Sequence, residues 1–149
     1  MDQIDKRIIL ALQTDSSRSQ RELAEVVGLS QNALWRRLKA LEATGVVVGY
    51  RAVVDRRKLG YDLTAFVMLR TSSHSAEWLQ RFRAHVGGIS EVVGFYRVSG
   101  DFDYLLKIVA EDVAAYDRIY QRIIEKAELH TITSYFAMEA IFDERPVRP

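Results

Sequence analysis

Between two β-like runs the chain reads Ser99-Gly100-Asp101-Phe102-Asp103-Tyr104. Gly100 permits a positive φ or a close backbone approach, so Asp101 and Asp103 can face one space. Backbone amides there would meet a carboxylate and an aspartate would meet an ammonium group, which together are the needs of an α-amino acid. Thr133 and Ser134, with Thr131, begin the last expected strand at the same end and add hydroxyls. A plain hairpin turn is the competing reading, since Gly-Asp is favourable turn chemistry, and the residues alone leave the two level. Metal binding fits less well, because two carboxylates make an incomplete shell; neither a metal nor a cofactor is expected.

A second group of residues could read nucleic acid. Ser30-Gln31-Asn32-Ala33-Leu34-Trp35-Arg36-Arg37-Leu38-Lys39 opens a helical pattern in which Leu34, Leu38 and Leu41 form the apolar stripe. Asn32, Arg36 and Lys39 then share an outward face at i, i+4 and i+7, with Gln31 and Trp35 beside it. Arginine bonds guanine bidentately, asparagine and glutamine bond adenine, and the first residues of a recognition helix are those that reach base edges. Ser30 and the amides at the helix start suit a phosphate. The blander alternative is a solvated basic helix with an arginine paired to Glu42 or Glu25. For Trp35, packing against the first helix competes with DNA contact, and Arg37 is open to either phosphate binding or bracing the fold. The run Arg56-Arg57-Lys58 reads mainly as solvated surface.

Charge is divided unevenly along the chain. Residues 1–61 hold 11 Lys and Arg against 7 Asp and Glu, whereas residues 62–149 hold 10 against 13. A basic first part suits phosphates and an acidic remainder does not. No cysteine is present, which excludes disulfides and thiolate chemistry and agrees with a cytoplasmic location. No apolar run approaches a membrane span and the first residues lack a signal-peptide pattern. His74, His85 and His130 are scattered without metal-ligand spacing, and neither a phosphate-binding loop nor a dinucleotide fingerprint occurs. An enzyme is therefore not expected.

The elements that would position these groups follow from periodicity. Asp2–Gln13 predicts a first helix. Ser19 and Glu22 form a capping box for the second, Gly28 stops it with Leu29 tucked beneath, Ser30 caps the third and Gly45 ends it; the single-glycine turn fits a helix-turn-helix. Val46–Val54 predicts a short β-hairpin, a wing pivoting near Gly49. After a linker at 55–62, strands are expected over Leu63–Thr71, Ile89–Val98, Tyr104–Ala110 and Thr131–Phe142, with helices over Ser75–Val86 and from Asp112 through Ile124. The order β-α-β-β-α-β is the ferredoxin-like split unit. Its helices cover one sheet face and the other is apolar, so pairing with a second copy is expected. The domains are thus 1–54, a DNA-binding winged helix-turn-helix, and 63–149, an α+β effector-binding and dimerisation domain.

Glu22-Leu23-Ala24, Val27-Gly28-Leu29-Ser30, Arg37-Leu38-Lys39-Ala40-Leu41-Glu42 and Gly45-Val46, with Gly49-Tyr50, resemble the helix-turn-helix of the leucine-responsive/asparagine-regulator (Lrp/AsnC) transcription factors, and Ser99–Tyr104 resembles the same family's ligand-sensing loop. The resemblance covers nearly the whole chain. It implies a regulator of transcription that binds double-stranded DNA, forms homodimers and assembles further, often to octamers. It also implies that an amino acid or related small effector binds between dimers near Gly100, Asp101, Asp103 and Tyr104. An effector-independent architectural DNA-binding protein is the alternative on the same fold. Two departures stand out: Gln31, Asn32 and Ala33 replace a proline frequent near the start of the recognition helix, and Glu128-Leu129 replace the Gly-Val of a Pro-Gly-Val before the last strand.

Overall fold

Local capping chemistry fixes each helix of the N-terminal part. Helix α1 (Gln3–Thr14) starts at Asp2, whose carboxylate accepts from the Ile4 and Asp5 amides while Asp5 accepts from the Asp2 amide, each at 2.9 Å. Helix α2 (Gln20–Val27) carries the expected Ser19–Glu22 capping box. It ends at Gly28, whose φ of 72° requires the left-handed region that glycine enters without a Cβ penalty. The Leu29 amide closes this end on the Ala24 carbonyl at 2.9 Å. Helix α3 (Gln31–Ala43) is capped by Ser30, whose hydroxyl accepts from the Ala33 amide at 3.3 Å. Ile8, Ala11, Leu23, Ala24, Val27, Leu34, Leu38 and Leu41 make one buried cluster among the three helices.

The computed structural model describes residues 1–149. The chain forms two compact units, one of Met1–Val53 with Ile141–Pro149 and one of Val54–Ala140. The expected hairpin over Val46–Val54 is not formed: no strand occurs there. The Val46 and Val47 amides instead both bond the Leu41 carbonyl at the end of α3, at 3.0 and 3.1 Å. Val48 and Val53 are almost wholly exposed, so neither side of a hairpin has an apolar surface to settle on, and an isolated two-stranded ribbon is marginal in water. Within the segment 55–62 lies a short 3-10 turn, Arg57–Leu59, closed by Gly60.

In the second unit the expected β-α-β-β-α-β order is present as β1 (Leu63–Thr71), α4 (Ala76–Gly87), β2 (Val92–Arg97), β3 (Tyr104–Ala110), α5 (Val113–Ile124) and β4 (Leu129–Phe136). All strand pairs are antiparallel and the sheet order is β2-β3-β1-β4, the ferredoxin-like arrangement. The second strand starts later than expected, at Val92, because Ile89 is buried in the turn leaving α4 and the Val92 amide bonds its carbonyl at 3.0 Å. The last strand ends at Phe136 rather than Phe142, since Phe136 pairs Ala65 and β1 offers only the Thr64 carbonyl to the next amide.

Alternation in β1 separates the two sheet faces. Ala65, Val67, Leu69 and Thr71 are buried under α4 and α5, whereas Phe66, Met68 and Arg70 point to the open face. The covered face contains an aromatic nest: Trp78 stacks on Phe82 with centroids 4.8 Å apart, and Phe82 and Tyr104 meet Phe95 edge-on at 5.5 and 5.6 Å. Such pairs add to their area burial through quadrupole complementarity.

Candidate DNA-binding and effector sites

On α3 the buried stripe of Leu34, Leu38 and Leu41 turns Gln31, Asn32, Arg36 and Lys39 to solvent. Arg36 makes no side-chain hydrogen bond or ion pair, so its guanidinium keeps all its donors. Ser30 spends its hydroxyl on the cap, which leaves the amides of Gln31 and Asn32 pointing out of the helix start as an anion-binding edge. Trp35 is 50% exposed and so is not a core residue of the three-helix cluster.

Arg37 braces the fold. Its Nη1 donates to Asp5 at 2.6 Å and to Asp2 at 2.9 Å, tying α3 to the start of α1. These two carboxylates raise the Arg37 pKa further above its usual value. The Asp5 amide bond, with help from Arg37, in turn holds the Asp2 carboxyl below the ordinary carboxylate range. Lys39 donates to Glu42 at 2.7 Å, and the Tyr50 hydroxyl donates to the other oxygen of Glu42 at 3.1 Å. Those two donors hold the Glu42 carboxyl low, Lys39 foremost. Partial burial, together with this carboxylate, pushes the Tyr50 hydroxyl up.

In the second unit the loop between β2 and β3 is held from below. Gly100 has a φ of 117° and open space where a Cβ would lie. The Asp103 amide donates to the Leu69 carbonyl and its carboxylate accepts from the Thr71 amide, both at 2.8 Å. Asp103 thereby pins the loop to the end of β1, at the irregularity between Arg70 and Thr71. Arg70 donates through Nε to the Asp101 carbonyl at 2.6 Å, with Nη2 on the same oxygen, and its guanidinium lies over the Phe102 ring at 5.7 Å. The Asp101 carboxylate has no partner and is exposed, as are Ser99 and Gly100.

The other residues expected at this site divide between the two faces of the sheet. Thr133 pairs Met68 and lies on the open face, as does Arg70. Ser134 pairs Val67 on the covered face and shares a short hydrogen bond with the Tyr116 hydroxyl of α5. Burial, foremost, pushes the Tyr116 hydroxyl up, while that bond opposes the rise. Tyr104 is buried in the aromatic nest. Arg70 is the residue that sequence reasoning missed. The one available signal was its place at the end of β1, where an arginine on the apolar open face needs an acceptor.

The described residues hold no cluster of three or more His, Cys, Asp or Glu arranged to bind a metal, and no helix is long and apolar enough to cross a membrane. A capped tri-helical unit with a free cation on its third helix, joined to a ferredoxin-like sheet with a glycine-acid loop, defines a two-part DNA-binding regulator. Residues 64–147 match the Lrp/AsnC ligand-binding domain and residues 1–48 match a winged helix-turn-helix DNA-binding domain. The chain belongs to the Lrp/AsnC family of DNA-binding transcriptional regulators. It is 42% identical over 142 residues to the DNA-binding transcriptional activator DecR of Escherichia coli, covering 95% of this chain and 93% of that protein. A crystal structure of an AsnC-family transcriptional regulator from Agrobacterium tumefaciens superposes with a TM-score of 0.92 at 47% identity, over 96% of this chain and 94% of that one. A regulator from Neisseria meningitidis in complex with L-methionine superposes with a TM-score of 0.91 at 26% identity, over 99% and 96% of the two chains.

Proposed function

We propose that this regulator responds to an α-amino acid bound at the β2–β3 loop, and that DNA binding through α3 follows that response. The observation that carries the reading is the division of labour between two acids of one loop: Asp103 is spent on the Thr71 amide, whereas the Asp101 carboxylate stands exposed and unpaired beside Gly100. An ammonium group has a counter-charge at Asp101, and a carboxylate has the open backbone around Ser99 and Gly100. Thr133 and Arg70 face the same open side of the sheet, and Tyr104 and Ser134 support the strands from beneath. The L-methionine complex of the Neisseria relative supports the ligand class.

On α3, the contacts to DNA are assigned to Ser30, Gln31, Asn32, Trp35, Arg36 and Lys39, with Arg36 reading a base edge and the helix start taking phosphate; Arg37 contributes by holding α3 in place. The working form is a homodimer through the open sheet face, assembling to higher oligomers such as octamers, in the cytoplasm where its DNA is. The effector shifts the balance between arrangements by its differential affinity for them.

A thermal-shift screen of the protein against the amino acids and simple 2-oxo acids tests the reading. A ligand that binds only the folded state raises the Tm by mass action, equivalent to about 2.7 kcal/mol at a hundred times its Kd. The expected result is a selective shift that Asp101→Ala abolishes. Shifts that persist in Asp101→Ala would remove the loop from the site, and no shift with any compound would leave an effector-independent architectural DNA-binding protein.

A further inference from the structure

Residues 141–149 are built into the DNA-binding unit. The Gln13 side-chain amide pairs with the backbone of Val147 in both directions: Nε2 donates to the carbonyl at 2.8 Å and Oε1 accepts from the amide at 2.9 Å. This is the two-bond pattern one strand offers another, here made by a side chain of α1. Glu144 is the one non-glycine residue with positive φ, at 56°, a conformation that persists where surrounding contacts impose it. Arg51 supplies one such contact, reaching Glu144 at 3.1 Å. The turn is closed by the Arg145 guanidinium over the Phe142 ring at 3.9 Å.

These contacts bear on the recognition helix through a short route. Residues 48–53 make no backbone hydrogen bond, and two side-chain tethers hold them: Arg51 on Glu144 and Tyr50 on Glu42. Glu42 in turn takes Lys39 at 2.7 Å. While Tyr50 fixes one Glu42 oxygen, the other stays aligned along the helix with the lysine ammonium, which is then partly neutralised.

We propose that residues 141–149 are a clamp that lowers DNA affinity: docked on Gln13 and Arg51, they keep Tyr50 on Glu42 and so keep Lys39 paired along α3 and away from phosphate. Undocking frees residues 48–53, Tyr50 leaves Glu42, and Lys39 becomes available to the DNA backbone. The chain passes between the two units at Val53–Val54 and again at Ala140–Ile141. The clamp, through Ile141, and the tethered segment, through Val53, are therefore each covalently continuous with the sheet unit. This inference rests on α3 being the DNA-contacting helix.

The test measures binding to specific and random duplexes across a salt series, for the full chain, a variant ending at Ala140, Gln13→Ala and Tyr50→Phe. Each variant is expected to bind random DNA roughly three- to tenfold more tightly at low salt. The slope of log K against log salt should steepen by about 0.9 per released lysine. In a Lys39→Gln background none of these variants should have an effect, which separates the clamp from a merely structural role. Unchanged affinity and slope, weaker binding, or an effect that survives Lys39→Gln would overturn the proposal. If the shortened chain fails to fold, Gln13→Ala and Tyr50→Phe decide it alone. Arg36→Ala serves as the control: if it leaves DNA binding intact, the reading of α3 has failed, and if it weakens binding while the clamp variants change nothing, the clamp alone is wrong.

Discussion

The contrast between Arg36 and Arg37 turns on one helical step. Arg37 points back to α1 and spends its guanidinium on Asp2 and Asp5, whereas the Arg36 guanidinium makes no bond within the chain. Arg36→Ala is expected to cost about 1–3 kcal/mol at the specific site and far less on random DNA; equal losses on both in a competition assay would make it a phosphate contact. Arg37→Ala should instead lower the Tm and weaken binding to all sequences alike. The two loop acids divide in the same way. Asp103→Ala strands the half-buried Thr71 amide and should cost about 1–3 kcal/mol in denaturant unfolding, while Asp101→Ala should leave the unfolding midpoint unchanged. From the sequence Asp101 and Asp103 are equivalent candidates. What distinguishes them is the β1 register, which brings the Thr71 amide to Asp103 and the Arg70 guanidinium to the Asp101 carbonyl; a pairing across some thirty residues leaves no local trace. The roles of Arg37 and Trp35 are likewise not legible locally: Arg37 depends on the Asp2 and Asp5 carboxylates some thirty residues away, and Trp35 on its half-exposed place outside the three-helix cluster.

At the scale of elements, local chemistry was legible where it is self-contained. The Ser19–Glu22 box, the Ser30 cap and the Gly28 stop need only neighbours a few residues away, and each formed where the spacing put it. The hairpin at Val46–Val54 failed because a strand is completed by a partner, and the valines at 46–48 and 53–54 do not supply one within this segment. The caps and the Lys39–Glu42 ion pair also set a pH dependence. Asp2, Glu22 and Glu42 all have carboxyl groups held below their ordinary values of 3.8, 4.5 and 4.5, by the Asp5 amide, the Ser19 hydroxyl and the Lys39 ammonium first respectively. A carboxyl depressed in the folded state contributes stability above its unfolded pKa and loses it as pH falls through the folded one. The helical unit should therefore weaken below about pH 4.5, with a falling Tm followed by calorimetry. Asp2→Asn keeps a cap acceptor but removes the charge, and is expected to flatten that fall; an unchanged pH profile would mean Asp2 contributes no linkage.

At the scale of the whole molecule, the proposed dimer turns on the two faces of the sheet. Its covered face is filled by Trp78, Phe82, Tyr116 and Ile119, whereas Phe66, Met68 and Leu105 sit side by side on the open face, with Tyr96 and Tyr135 more than half exposed at its margins. Leaving such a contiguous apolar patch in water is unfavourable by about 25 cal/mol per Å² of apolar surface, and a second copy presents the identical patch, which a two-fold axis makes self-complementary. The β2 strand fits this role: at Gly94 an added Cβ would lie 2.9 Å from the Tyr96 ring and 3.1 Å from the Lys107 Cβ, so the glycine lets the tyrosine lie flat across the face. Met68→Glu, at the centre of the patch opposite Thr133 and Leu105, puts a charge where the two copies would meet. It is expected to raise the dimer Kd by at least roughly 30-fold, or about 2 kcal/mol, in sedimentation equilibrium, with each chain still folded because the side chain is outside the core of its own unit. Effector shifts should weaken with it if the ligand is enclosed by more than one copy, and persist in the monomer if Asp101 and the Gly100 backbone bind alone. An unaltered sedimentation profile for Met68→Glu would place the assembly interface elsewhere on the chain.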